Sequence, residues 1–125
     1  MCWLPIQVIR EQYQRERPAP SVQTTFNYAW GLVRSGNKQD IEEGMKVLWG
    51  LYKNQPHLSR ECLFYLCIGH LKLGNYSDAR KYIVALLKEE PSNTQFEALK
   101  DLIDQRVQEE GLTGMAIVGG AAAVS

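Results

Sequence analysis

The stretch Arg60 to Pro91, RECLFYLCIGHLKLGNYSDARKYIVALLKEEP, constrains the fold more than any other part of the chain. It reads as two antiparallel helices joined by a tight turn. Gly74 and Asn75 interrupt the apolar periodicity, and glycine is the usual residue where a helix ends at positive φ. Counted from Gly74, Tyr76 follows by two positions, Ala79 by five, Ile83 by nine, Leu86 by twelve and Pro91 by seventeen. A small side chain at Ala79 lets the second helix approach the first, and Ile83 and Leu86 fall on its inward stripe. Pro91 closes the unit.

A single helical hairpin cannot bury its apolar face alone, so a neighbouring unit is expected. A shift of thirty-five residues finds it, placing Ile41, Gly44, Leu48, Leu51 and Pro56 opposite Tyr76, Ala79, Ile83, Leu86 and Pro91. These are the spacings of tetratricopeptide units. Upstream of Ile41 the match holds if the turn gains one residue, which sets Trp30 and Gly31 opposite Leu66 and Cys67.

Taken in order, the chain divides into six helices. Pro5 suits a first helical position, and Ile6, Ile9 and Tyr13 make one face of a short helix that stops before Pro18. Thr24 or Thr25 can cap the second helix, whose face is Phe26, Ala29, Trp30 and Val33 until Gly36 and Asn37 end it. Asp40 with Glu43 resembles a capping box for the third helix, Ser59 can cap the fourth, and the fifth runs from about Ser77 to Glu90. In the fourth, Leu63, Leu66, Cys67 and His70 turn toward the core. Ser92 with Gln95 offers a capping box for a sixth helix with the stripe Phe96, Leu99, Leu102, Ile103 and Val107. No segment alternates with period two, so the fold class is all-α. The expected layout is an N-terminal segment and first helix over 1–20 and a helical domain over 21–110. The domain holds repeats at about 24–57 and 59–91 and a capping helix at about 93–110.

At 125 residues the length suits one domain. Fourteen lysines and arginines balance fourteen aspartates and glutamates, so no net field favours nucleic acid. Three cysteines without a C-x-x-C do not make a disulfide framework and suit a reducing compartment. The N-terminus lacks the apolar core of a secretory signal, and Glu11 and Glu16 argue against a mitochondrial presequence. After Gly111, fourteen residues, LTGMAIVGGAAAVS, carry no charge. That is short of the roughly twenty a spanning helix needs; the stretch reads either as a small-residue tail or, as the abrupt polarity switch favours, as the start of a membrane anchor over residues 111–125.

No enzyme constellation is present. Cys67 and His70 lie three apart on one helical face, a spacing compatible with two metal ligands, but no second pair accompanies them. No glycine pattern for a phosphate cradle occurs. The expectation is no catalytic residues, no metal and no cofactor. A surface remains. The first helix of each repeat lines the concave side, which nominates Phe64, Ile68 and Leu71 with Lys72 at the rim, and, by the shifted register, Tyr28 and Leu32. Such a mostly apolar groove suits the apolar face of a partner helix or an extended segment; the competing reading is that half of these residues are simply core.

FNYAWGLVRS (Phe26 to Ser35), ECLFYLCIGHLKLGNYSDARKYI (Glu61 to Ile83) and GLTGMAIVGG (Gly111 to Gly120) together resemble the mitochondrial fission 1 protein family in its fungal form. The resemblance implies a six-helix bundle with two tandem tetratricopeptide-like repeats, held on the outer surface of mitochondria, and also of peroxisomes, by a C-terminal tail anchor. It implies a receptor whose groove and N-terminal segment engage adaptor proteins that bring a dynamin-related GTPase to the fission site. It implies no small-molecule substrate and no nucleic acid. Two departures from the family pattern stand out: only Met1 to Leu4 precede the first helix where fungal members carry a longer arm, and the anchor is truncated at Ser125. The alternative readings are a cytosolic tetratricopeptide module binding peptide tails, against which the groove's lack of a Lys/Arg cluster argues, and a small metal or redox enzyme using Cys62, Cys67 and His70.

Overall fold

The computed structural model describes the backbone of residues 5–120 and the side chains of residues 5–111. Among them the order is α1 (Ile6–Arg15), α2 (Val22–Arg34), α3 (Lys38–Asn54), α4 (Ser59–Lys72), α5 (Tyr76–Glu89) and α6 (Thr94–Gly120), with a 3-10 turn at Pro56–Leu58. No strand occurs among the described residues. α2 packs on α3, α3 on α4, α4 on α5 and α5 on α6, while α1 lies against α2. Helices α2 to α5 are therefore two stacked hairpins, as the repeat predicts.

The core follows the repeat positions. Ile41, Leu48 and Leu51 in α3 are buried, as are Ala79, Ile83 and Leu86 in α5. One cluster joins α2, α3 and α4 through Ala29, Val33, Leu48 and Leu66; a second joins α4, α5 and α6 through Cys67, Ile83, Phe96 and Ile103. Gly74 ends the second hairpin's first helix at φ 80°, a left-handed conformation only glycine adopts cheaply. The Asn75 amide then donates back to the His70 carbonyl at 2.8 Å, closing the turn.

Several helix starts differ from the expected ones. Ser21 rather than a threonine caps α2, its hydroxyl accepting from the Thr24 amide at 3.0 Å. Asn37 caps α3 by accepting from the Gln39 and Asp40 amides. Asp40 is drawn away instead, to Arg10 at 2.7 Å and the Ser35 hydroxyl at 2.9 Å. Asn93 takes the place foreseen for Ser92, its side chain accepting from the Phe96 amide at 3.0 Å. Ser59 is the first residue of α4 and donates its hydroxyl to the Pro56 carbonyl. In α6, Leu102 and Val107 face outward, exposed at 39% and 36%, because only Phe96, Leu99 and Ile103 meet α5 and α4.

The sixth helix does not stop near residue 110. It continues unbroken through the polarity switch to Gly120. Met1 to Leu4 and the tail beyond Gly120 lie outside the described residues. Among the described residues no helix is long and apolar enough to cross a membrane.

Candidate partner-binding groove

Helix α4 carries the stripe Phe64, Ile68, Leu71 at spacings of four and three, which puts all three on one face. Each is half-buried. Ile68 leans on the cluster of the first hairpin, Leu71 on that of the second, and Phe64 on both. The three side chains are thus half-buried where the two clusters meet on α4.

The two residues nominated on α2 are elsewhere. Leu32 is fully buried and Tyr28 is 7% exposed, because α1 lies over them. Ile6, Ile9 and Tyr13 pack onto this pair, and the Tyr13 ring stacks on Tyr28 with centroids 4.1 Å apart. The Tyr28 hydroxyl donates to Glu43, and burial, followed by that hydrogen bond, pushes the phenol up to about 12. Tyr28 and Leu32 are core, not groove.

Lys72 is also committed. Its ammonium donates to the Val33 and Ser35 carbonyls at 2.8 and 3.1 Å, satisfying the end of α2 from the neighbouring hairpin. Partial burial, then the nearby Arg34 charge, lowers its pKa. Lys72→Met keeps the stem and removes these bonds, so it is expected to lower the thermal midpoint by roughly 3 °C, about 1 kcal/mol. An unchanged midpoint in a calorimetric scan would show that the clasp carries nothing.

The wall that sequence reasoning missed is aromatic. Tyr65 is the hub, with Phe26 at 5.5 Å, Trp30 at 4.2 Å and Phe64 at 5.3 Å between ring centroids. Phe64 in turn meets Phe96 of α6 at 5.7 Å. Beside them opens a cleft of about 230 Å³ lined by Arg60, Glu61, Phe64, Tyr65, Gln95 and Phe96. Arg60 is held at its rim by Glu90 and lies over the Phe96 ring, 5.1 Å from its centroid. The indole nitrogen of Trp30 and one carboxylate oxygen of Glu61 are buried without a hydrogen-bond partner. The signal in the sequence was the pairing of Phe26 with Trp30, four residues apart on α2, with the Phe64–Tyr65 pair at the matching depth of α4.

Cys62, Cys67 and His70 do not assemble into a site. Burial pushes the Cys62 thiol up to about 11 and the Cys67 thiol up to about 12, so both stay protonated, and the Cys67 thiol donates to the Ala79 carbonyl at 3.3 Å. His70 stacks on Tyr82 instead, with its pKa lowered by burial against a smaller upward pull from Asp78. Among the described residues no group of three or more His, Cys, Asp or Glu side chains could hold a metal ion.

Comparison with known proteins places this geometry in context. Residues 23–55 match the model of the Fis1 N-terminal tetratricopeptide repeat, and residues 60–112 that of the Fis1 C-terminal tetratricopeptide repeat. The mitochondrial fission 1 protein of Neurospora crassa is 49% identical over 117 residues, covering 94% of this chain and 76% of that protein. A crystal structure of yeast Fis1 in complex with an Mdv1 fragment, containing N-terminal extension and coiled coil domains, is similar at TM-score 0.81. It is 40% identical over 85% of this chain and 84% of that one. Yeast Fis1 complexed with a fragment of yeast Caf4 is similar at TM-score 0.58, with 43% identity over 62% of this chain and 81% of that one.

Proposed function

The chain belongs to the mitochondrial fission 1 protein family, and from that premise we propose that it is a non-enzymatic receptor that recruits adaptor proteins, and through them a dynamin-related GTPase, for organelle fission. The partners are of the kind held by yeast Fis1 in the Mdv1 and Caf4 complexes. The receptor sits on the mitochondrial outer membrane, and also on peroxisomes, by an anchor that starts within residues 111–125. The observation that carries this reading is the half-buried apolar stripe Phe64, Ile68, Leu71 on α4, beside the Phe26–Trp30–Tyr65 cluster of rings.

The physical logic is local concentration. A groove tied to a membrane raises the effective concentration of any bound adaptor there, without new chemistry. The apolar stripe supplies the area that a partner's apolar side chains would bury. The Ile68→Glu, Leu71→Lys double variant should weaken binding of a fragment spanning an Mdv1-type N-terminal extension by about 100-fold or more. Its helical circular dichroism should be preserved, since both residues are only half-buried. Undiminished binding by the folded double variant would sink the groove assignment.

A further inference from the structure

The unbroken run of α6 from Thr94 to Gly120 fixes more than a tether. Phe96 and Ile103 of this helix are buried in the bundle, and the same helix passes without a break from the charged residues Glu109 and Glu110 into the uncharged stretch. The bundle and the start of the tail therefore share one axis. The α4–α5 turn lies level with the end of the charged part. Clefts of about 430 and 390 Å³ between them are lined by Gly74 to Asp78 on one side and Arg106, Val107, Glu109, Glu110 and Gly111 on the other.

We propose that the α4–α5 turn, Gly74 to Asp78, is a membrane-contact surface that rests in the lipid headgroup layer and sets the orientation of the groove. This rests on the reading of residues 111–125 as the start of an anchor. If the uncharged stretch enters hydrocarbon, Glu109 and Glu110 lie among headgroups, and so does whatever stands beside them. Neighbouring packed helices lie about 9 Å apart. A tilt of about 20° moves the turn by only about 3 Å, less than the roughly 6 Å of headgroup layer on each face. The chemistry of the end fits. Tyr76 is half-buried with an amphipathic ring suited to an interface, and Val107 leaves an apolar edge beside it. Asp78, Glu109 and Glu110 outnumber Arg106 there, with Lys81 held 3.9 Å from Asp78, so the surface suits zwitterionic lipid over anionic lipid. The α5–α6 connection at Ser92 lies at the opposite end of the bundle, since α5 and α6 each run its length between the two turns. The groove then opens sideways, its floor running along the membrane normal.

The test uses the chain with its C-terminal segment, reconstituted in phosphatidylcholine liposomes carrying a headgroup nitroxide. Single cysteines at Ser77 and at Ser92, both exposed, are labelled with a fluorophore in a Cys2→Ser background, since Cys62 and Cys67 are buried. The Ser77 label is expected to be quenched at least about 3-fold more than the Ser92 label. A flexible glycine-serine insertion between Glu110 and Gly111 should erase that difference while flotation with the liposomes persists. Flotation with equal quenching at the two sites overturns the orientation and leaves the anchor standing. Failure to float overturns the anchor and the orientation with it.

Discussion

Raising the pH from 8 to 11 is expected to unfold the chain through groups that take no part in binding. The Cys62 and Cys67 thiols rise from an ordinary value near 9 to about 11 and about 12, and the Tyr28 phenol from 10 to about 12, each chiefly by burial. A group whose pKa is raised in the folded state contributes stability below its unfolded pKa and loses it as pH climbs toward the folded one. Above pH 9 the unfolded thiols shed protons that the folded thiols keep, so stability falls with pH. Each unit is about 1.4 kcal/mol, so the two thiols together remove on the order of 5 kcal/mol by pH 11, comparable to the whole stability of a small domain. Lys72, whose pKa is lowered, works in the opposite direction but is a single, largely exposed group. Urea unfolding at pH 7 and pH 10.5 reads the drop directly. In the Cys62→Ala, Cys67→Ala variant the drop should shrink by more than half; an identical drop would mean that the buried thiols are not its source.

The second large effect concerns where α2 and α3 touch. A Cβ on Gly44 would stand 2.8 Å from the Ala29 carbonyl oxygen, 2.9 Å from the Leu32 Cβ and 3.1 Å from a Val33 methyl. The first of these is backbone within a helix and cannot swing aside. Gly50, in the same helix, has nothing within 4 Å of the corresponding point. Alanine gains about 1 kcal/mol of helix propensity over glycine at either site, so Gly50→Ala is expected to raise stability by up to that amount. At Gly44 overpacking of about 1–3 kcal/mol opposes the gain, and Gly44→Leu should lose more than about 3 kcal/mol because the hairpin must open to admit it. Thermal melts of the two variants should order Gly50→Ala above the parent and Gly44→Leu far below it. A Gly44→Leu melt near the parent would show that the close approach is not what holds the first hairpin.

The same contact explains why the hairpins were legible in the sequence. Gly44 and Ala79 stand at equivalent places because two helices can meet closely only over a small residue, and Ile41, Leu48, Leu51, Ile83 and Leu86 follow from that crossing by periodicity alone. What stayed hidden depends on contacts between distant residues. Asp40 looked like a cap, but its carboxylate is taken by Arg10, thirty positions away, and Asn37 caps in its stead. Tyr28 and Leu32 carry the right spacing for a groove, yet local periodicity does not say which flank of α2 another helix will cover. Phe64, Ile68 and Leu71, nominated by the same spacing, are half-buried, because α4 packs on both α3 and α5. The aromatic wall went unnoticed since Phe26 and Trp30 read equally well as ordinary core.

Stacked hairpins present the same kind of bare face at each end, and nothing in their geometry tells such an array to stop growing. Here Ile6, Ile9 and Tyr13 seal one of those faces over Tyr28, Leu32 and Val47, and Arg10 fastens the short helix to Asp40. The first ten-residue helix thus does the work of half a missing repeat. Stripped of it, each molecule would offer a greasy terminus to the next, and a head-to-tail contact that does not close on itself propagates into filaments. The helix that covers Tyr28 and Leu32 thus closes this end of the array.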